Sequence, residues 1–286
     1  MRLKTLGVLA IALLTGLMQA LPAPAESRSA TVRHLEVDGR GDHPLGVDDT
    51  SPRLGWRVER APDGWAQGAY QIRAARSERD LARGSYLWDS GKVRSSSQTD
   101  VEWGGPELRS RQAVVWQVRV WSTRGDVTRW SRPASWEMGL LERSDWGAAR
   151  WIEYPGRSLS DPLQIFARAF SVDGRRGDEI AKARLYLSGI GIHEAELNGR
   201  AVTDEMLAPG NSNYQLSAEY RTYDVTRHIR PGANTLGVEL GNGTALVTRS
   251  VTNPATGRTA PYAWWQSQFK GSGTMAAPAA AGDTVV

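Results

Sequence analysis

Gly191-Ile-His-Glu-Ala-Glu-Leu-Asn-Gly-Arg-Ala-Val202 is the stretch that decides how this chain folds. Asn198-Gly199 separates two short alternating runs. A two-residue Asn-Gly link is the strongest local hairpin signal, because a type I′ turn needs positive φ at both central residues. Farther on, Tyr220-Arg-Thr-Tyr-Asp-Val-Thr226 and Pro231-Gly-Ala-Asn-Thr-Leu-Gly-Val-Glu-Leu-Gly241 alternate in the same way. Between them, Asp224 to Gly232 reads as a strand end, a short helical turn and a tight turn into a last strand. Toward the N-terminus the alternation resumes from Pro162. Ile165, Ala167 and Ala169 oppose Phe166, Arg168 and Phe170; Ala183, Leu185 and Leu187 oppose Lys182, Arg184 and Tyr186. A period of two is the strand period.

Residues 31 to 139 show the same rhythm, cut by Gly, Pro, Asp and Ser clusters. Candidate strands are Arg53 to Val58, Gly68 to Ala75, Thr99 to Trp103, Val114 to Trp121 and Ser135 to Met138, with Trp130-Ser131 opening the return strand. Within Val115 to Trp121, residues 116, 118 and 120 share one face. Roughly seven strands in about 100 residues predict an immunoglobulin-like or fibronectin type III sandwich. The chain holds 12 tryptophans against 3 phenylalanines, and ten of the twelve fall between Trp56 and Trp151. Large rings on buried strand faces fill inter-sheet space, so core packing is the expected role of most. Leu140 to Tyr154 predicts the linker. No segment beyond the leader carries a sustained helical stripe. The expectation is therefore an all-β chain of two sandwiches, the first over 31–140 and the second, a jelly-roll, over 145–270.

The N-terminus predicts a signal peptide over residues 1–25. Arg2 and Lys4 form a positive start, Leu6 to Met18 is apolar, and Ala23-Pro24-Ala25 supplies small residues for cleavage after Ala25. The apolar run is too short for the ~20 residues that span a bilayer. The expectation is a secreted protein, extracellular or periplasmic, with no membrane attachment after cleavage. There are 35 basic and 31 acidic residues, a balance without the concentrated field that nucleic acid needs. All but four of the basic residues, Lys4, Lys92, Lys182 and Lys270, are arginine, which reads as coding bias rather than as a site. The chain has 0 cysteines, excluding disulfides, thiolate nucleophiles and cysteine metal sites. After Trp265 the composition turns to Gly, Ser, Ala, Pro and Thr, and residues 271–286 predict a low-complexity tail.

Several of these segments carry a resemblance. Asp89-Ser-Gly-Lys-Val93, Val115 to Trp121, Trp130-Ser131, and Gly139-Leu-Leu141 followed by Asp145-Trp146 resemble the first domain of bacterial α-L-rhamnosidases. Leu197-Asn-Gly199, Leu207-Ala-Pro-Gly210, Tyr220 to Thr226 and Leu240-Gly-Asn-Gly243 resemble the sugar-binding-like (galactose-binding-like) jelly-roll that follows it in that family. The resemblance implies a chain with no catalytic residue of its own, acting in sugar binding and domain support. The family's catalytic unit is a later (α/α)6 toroid that hydrolyses terminal rhamnosides with inversion, and nothing up to Val286 corresponds to it. The expected partners are rhamnose-containing glycosides or polysaccharides. Two other readings stay open at this point: a free-standing carbohydrate-binding or adhesion module, and the front end of a glycosidase of the β-galactosidase type.

Other constellations have plainer explanations. Glu194 and Glu196 are two apart on one strand, about 6.6 Å by the strand rise, near the spacing of an inverting carboxylate pair. Such a pair must flank substrate from opposite sides, whereas these point in parallel, so a solvated face is expected. Arg124-Gly125-Asp126 reads as turn chemistry rather than an adhesion tripeptide. His34, His43, His193 and His228 lie on separate elements, with neither triad nor metal-ligand spacing. No cofactor is expected, although a Ca²⁺ held by backbone carbonyls in the second domain stays open. Sugar recognition needs ring faces and planar amides, and loops at one rim of the second domain offer both. The expected contacts are Asn213, Tyr214, Asn242, Trp264 and Trp265, at an affinity near millimolar, about −4 kcal/mol.

Overall fold

The computed structural model describes residues 29–153, 164–210, 212, 217–241, 250–252 and 259–261. The predicted leader and tail lie outside them.

The first half contains β1 (Thr31–Val37), β2 (Leu45–Val47), β3 (Arg53–Glu59), β4 (Gln67–Ala75), α1 (Glu78–Arg83), β5 (Trp88–Asp89), β6 (Val101–Glu102), β7 (Ala113–Ser122) and β8 (Ala134–Met138). They form two sheets, β1-β3-β6 and β2-β8-β7-β4-β5. The inward residues of β7 follow the sequence pattern: Trp116, Val118 and Val120 are fully buried. They meet Leu54 and Trp56 of β3 and Trp136 of β8 in one core. Trp103 stands edge-on between Trp88 and Trp136, at 4.9 and 5.4 Å between ring centres. Two buried indoles also satisfy their N–H groups, Trp56 by donating to the Gln67 amide oxygen and Trp103 by donating to the Pro106 carbonyl.

Not every tryptophan is inside. On the outer face of β4 and β7, Arg73 lies over both Tyr86 and Trp130, and Arg119 lies over both Trp130 and Trp121. Lys92 covers Trp121. Gln71 links the two guanidiniums, accepting from Arg119 and donating to Asp89, which Arg73 also engages. Alternation accounts for this, since residues 117, 119 and 121 point away from the core.

The six-residue helix α1 escapes a search for periodicity because it is under two turns long. Its ends are nevertheless written in the sequence. Ser77 accepts from the Asp80 amide and Gly84 closes the helix at φ 79°. Arg124-Gly125-Asp126 is a turn, with the Ser122 hydroxyl bonded to the Asp126 carboxylate and amide.

The second half contains β9 (Gln164–Val172), β10 (Arg184–Ser188), β11 (Ile192–Leu197), β12 (Arg200–Ala201), β13 (Tyr220–Asp224) and β14 (Gly232–Gly241). A four-stranded sheet β12-β11-β14-β9 faces the ribbon β10-β13 across a core of Leu187, Leu197, Tyr223, Val225, Leu236 and Val238. A further hairpin pairs β15 (Ser250–Thr252) with β16 (Thr259–Pro261). The β11–β12 turn has φ of 57° at Asn198 and 74° at Gly199, the two positive values a type I′ turn requires. Asn198 does more than turn the chain. Its side chain donates to the His228 carbonyl and the Asn234 amide oxygen and accepts from the Thr235 amide. Asn234, itself buried, donates to the carbonyls of Arg230 and Gly232. Two asparagines thus tie the hairpin to the turn before β14. Glu194 and Glu196 are both exposed on the outer face of β11, as the parallel-pointing argument requires.

Candidate functional site

The five residues expected to contact sugar, Asn213, Tyr214, Asn242, Trp264 and Trp265, lie outside the described residues. The strands leading toward them are described. His193 on β11 pairs with Leu240 on β14, and Ile192 with Gly241. On the opposite edge of β11 the His193 amide donates to the Ala208 carbonyl at 2.8 Å. The segments running into 211–216 and into 242 therefore leave the same end of the sheet.

That end carries a polar cluster. His193 is 2% exposed, with Nε2 3.2 Å from the Tyr223 hydroxyl and Nδ1 unpartnered. Burial lowers its pKa to about 4, aided by Arg221 and opposed by Glu205. Burial likewise pushes Tyr223 up to about 12. At the surface of the cluster Arg221 bridges Glu205 at 2.9 Å and Glu219 at 3.4 Å. Gly210, at φ 113°, runs so close that a Cβ would come within 3.1 Å of the Glu219 carboxylate. Met206 and Leu207 are left exposed beside it, at 81% and 66%. A neutral imidazole sealed under a protonated phenol has no access to substrate and supplies no general base at neutral pH. The outer Glu205–Arg221–Glu219 group offers acceptors and donors for hydroxyls, which is binding chemistry. Among the described residues no group of three or more His, Asp or Glu side chains is placed to hold a metal.

A second constellation, which sequence reasoning did not single out, joins the two sandwiches. Strands β10 and β13 send one face into their own core and the other, with Arg184, Tyr186, Tyr220 and Thr222, toward the first domain. There Glu137 of β8, 4% exposed, accepts from Lys182 at 2.8 Å and from Arg184 at 3.1 Å. Arg184 also pairs with Asp224 at 2.9 Å. The Tyr220 hydroxyl accepts the Leu140 amide at 2.8 Å while its ring packs edge-on against Trp146. Two glycines permit this approach. A Cβ on Gly139 would overlap the Tyr220 hydroxyl, and one on Gly46 would sit 2.6 Å from the Thr222 hydroxyl. Ser110 bonds both the Asp145 carboxylate and the Leu141 amide, holding the connecting segment. The only sequence signal for this contact was the Lys182, Arg184, Tyr186 set opposite an apolar strand face.

Comparison with known proteins turns these two domains into an assignment. The family model described as Rha78A-like, N-terminal immunoglobulin domain matches residues 32–142, and that of the α-L-rhamnosidase N-terminal domain matches residues 178–269. By these domains the chain belongs to the α-L-rhamnosidase family. An α-L-rhamnosidase of Formosa agariphila is 34% identical over 219 residues, covering 70% of this chain and 23% of that protein. Among solved structures, the α-L-rhamnosidase of Dictyoglumus thermophilum is similar at 28% identity with a TM-score of 0.67, over 76% of this chain and 25% of that one. The enzyme of Aspergillus terreus is similar at 30% identity and a TM-score of 0.64, over 80% of this chain and 25% of that one. The chain spans under a quarter of the curated relative's length and corresponds to the N-terminal domains of an α-L-rhamnosidase. Of the readings left open by the residues alone, this is the one that the domain matches carry.

Proposed function

We propose that this chain forms the supporting front unit of a secreted α-L-rhamnosidase, an enzyme releasing terminal L-rhamnose from plant glycosides or polysaccharides. Its own work is to brace the enzyme and to hold sugar weakly at the rim of the second sandwich. The observation that carries the supporting role is the buried junction, where Glu137 takes two cations from the second domain and Tyr220 caps the Leu140 amide. A buried carboxylate with two partners fixes one relative orientation, because separating the domains would leave it uncompensated. The sugar-holding role rests on chemistry: Asn213, Tyr214, Asn242, Trp264 and Trp265 combine ring faces with amides.

The purified chain should not hydrolyse an aryl α-L-rhamnoside, and measurable turnover would overturn the non-catalytic reading. Titration with L-rhamnose, followed by tryptophan fluorescence, should give a saturable change that weakens in Trp264→Ala or Trp265→Ala. No saturable change, or one untouched by either substitution, removes the rim site. Secretion predicts a mature protein beginning at Glu26, read by intact-mass measurement of exported material; an uncleaved leader contradicts it.

A further inference from the structure

The first sandwich carries a groove of about 750 Å³ beside β1 and the segment that leads into β8. Arg33, Arg57, Arg60 and Arg132 line it. Composition singles out none of these arginines; their placement does. Arg33 and Arg57 are direct partners across β1 and β3, so their side chains leave the same face with Cβ atoms about 5 Å apart. Like charges placed opposite each other weaken a sheet. None of the four guanidiniums has a hydrogen bond or ion pair among the described residues. The carboxylate that could relieve them, Glu59, is engaged at 2.9 Å by His34. His34 reaches it from the β1 bulge, where its own φ is 48°.

A groove of this size falls in the range of ligand sites, and unpaired planar guanidiniums match carboxylate and sulfate groups with two parallel hydrogen bonds. Glu36, Asp42 and Glu59 also line the groove. Acidic groups in the same lining as the arginines suit a ligand that alternates charge with hydroxyls and disfavour a uniform polyanion such as nucleic acid. We propose that this groove binds an acidic saccharide, a glycan segment bearing uronate or sulfate groups. The site belongs to the first domain and is separate from the rim of the second. It stands independently of the rhamnosidase assignment, since the ligand needs no rhamnose.

The test is an NMR titration of the full chain with oligogalacturonate, sulfated dextran oligosaccharide, neutral dextran and a short DNA duplex. Saturable shifts of the Arg33, Arg57 and Arg132 side-chain N–H signals with an acidic sugar are expected, and the responding sugar distinguishes carboxylate from sulfate. Arg33→Gln with Arg57→Gln should weaken that binding about tenfold, whereas Arg124→Gln in the distant turn should leave it unchanged. Because the double variant relieves repulsion, its melting temperature should hold or rise, which separates lost binding from lost fold. The proposal is overturned if neither acidic sugar gives saturable shifts, or if duplex DNA binds as well. It is equally overturned if the double variant binds normally, or if Arg124→Gln loses as much.

Discussion

Lowering the pH from 7.5 to 5 should loosen the second sandwich and spare the first, through His193. Its imidazole is sealed between β11 and β13, is 2% exposed, and has a pKa lowered to about 4 chiefly by burial. The unfolded value is about 6.5. The unfolded chain therefore takes the proton first, so this contribution to stability is complete above about pH 6.5 and is lost as pH falls toward 4. A difference of about 2.5 pH units corresponds to about 3 kcal/mol when fully developed, of which about 2 kcal/mol is already lost at pH 5. That is a large fraction of the ~5–15 kcal/mol that holds a domain folded. Asp224, in the same domain, has a pKa lowered by its Thr226 hydrogen bonds and by Arg184 against its desolvation. Its loss falls below about pH 4, outside the histidine window. Most tryptophans report the first domain, so hydrogen exchange is the suitable assay. Opening free energies of β11 and β14 amides should fall by about 2 kcal/mol between pH 7.5 and 5, with β7 amides unchanged. His193→Gln can keep a hydrogen bond to Tyr223 and has no proton to gain, so it should flatten the dependence. An equal fall in the glutamine variant, or a His193 ring that titrates near 6.5, would refute the reasoning.

Three further outcomes follow from individual side chains. Glu137→Gln leaves Arg184 and Lys182 without their shared anion and should cost about 2–4 kcal/mol at the junction, seen as separate melting of the two domains by calorimetry. Asn198→Ala removes three side-chain hydrogen bonds and places alanine at φ 57°. About 3 kcal/mol should be lost, measured by urea unfolding of the second domain. Arg119→Ala strips a cation from between Trp121 and Trp130 and should cost about 1–2 kcal/mol, with a change in near-ultraviolet circular dichroism.

The two-sandwich architecture was legible because period-two patterns are local. Val114 to Trp121 and the Asn198-Gly199 turn predicted strand, face and turn type from adjacent residues alone. The short helix was missed for the complementary reason: six residues carry almost no periodicity, and only Ser77 and Gly84 marked it. The outward Trp121 and Trp130 were hidden because a ring covered by two cationic side chains looks, in sequence, like a ring meant for the core. His193 read as one of four scattered histidines, since its burial depends on Tyr223 and the Ala208 backbone arriving from elsewhere in the chain. The junction was the least legible feature. Glu137 and Arg184 are 47 residues apart, and Gly139 has no turn signature, because what it provides is room for the Tyr220 hydroxyl.

The central claim, that two sandwiches act as one fixed supporting unit, is tested most directly by residual dipolar couplings on the weakly aligned chain. Couplings from β4 and β7 and couplings from β11 and β14 should fit a single alignment tensor, and Glu137→Gln should split that fit in two. Separate tensors of different magnitude in the unaltered chain would contradict the account.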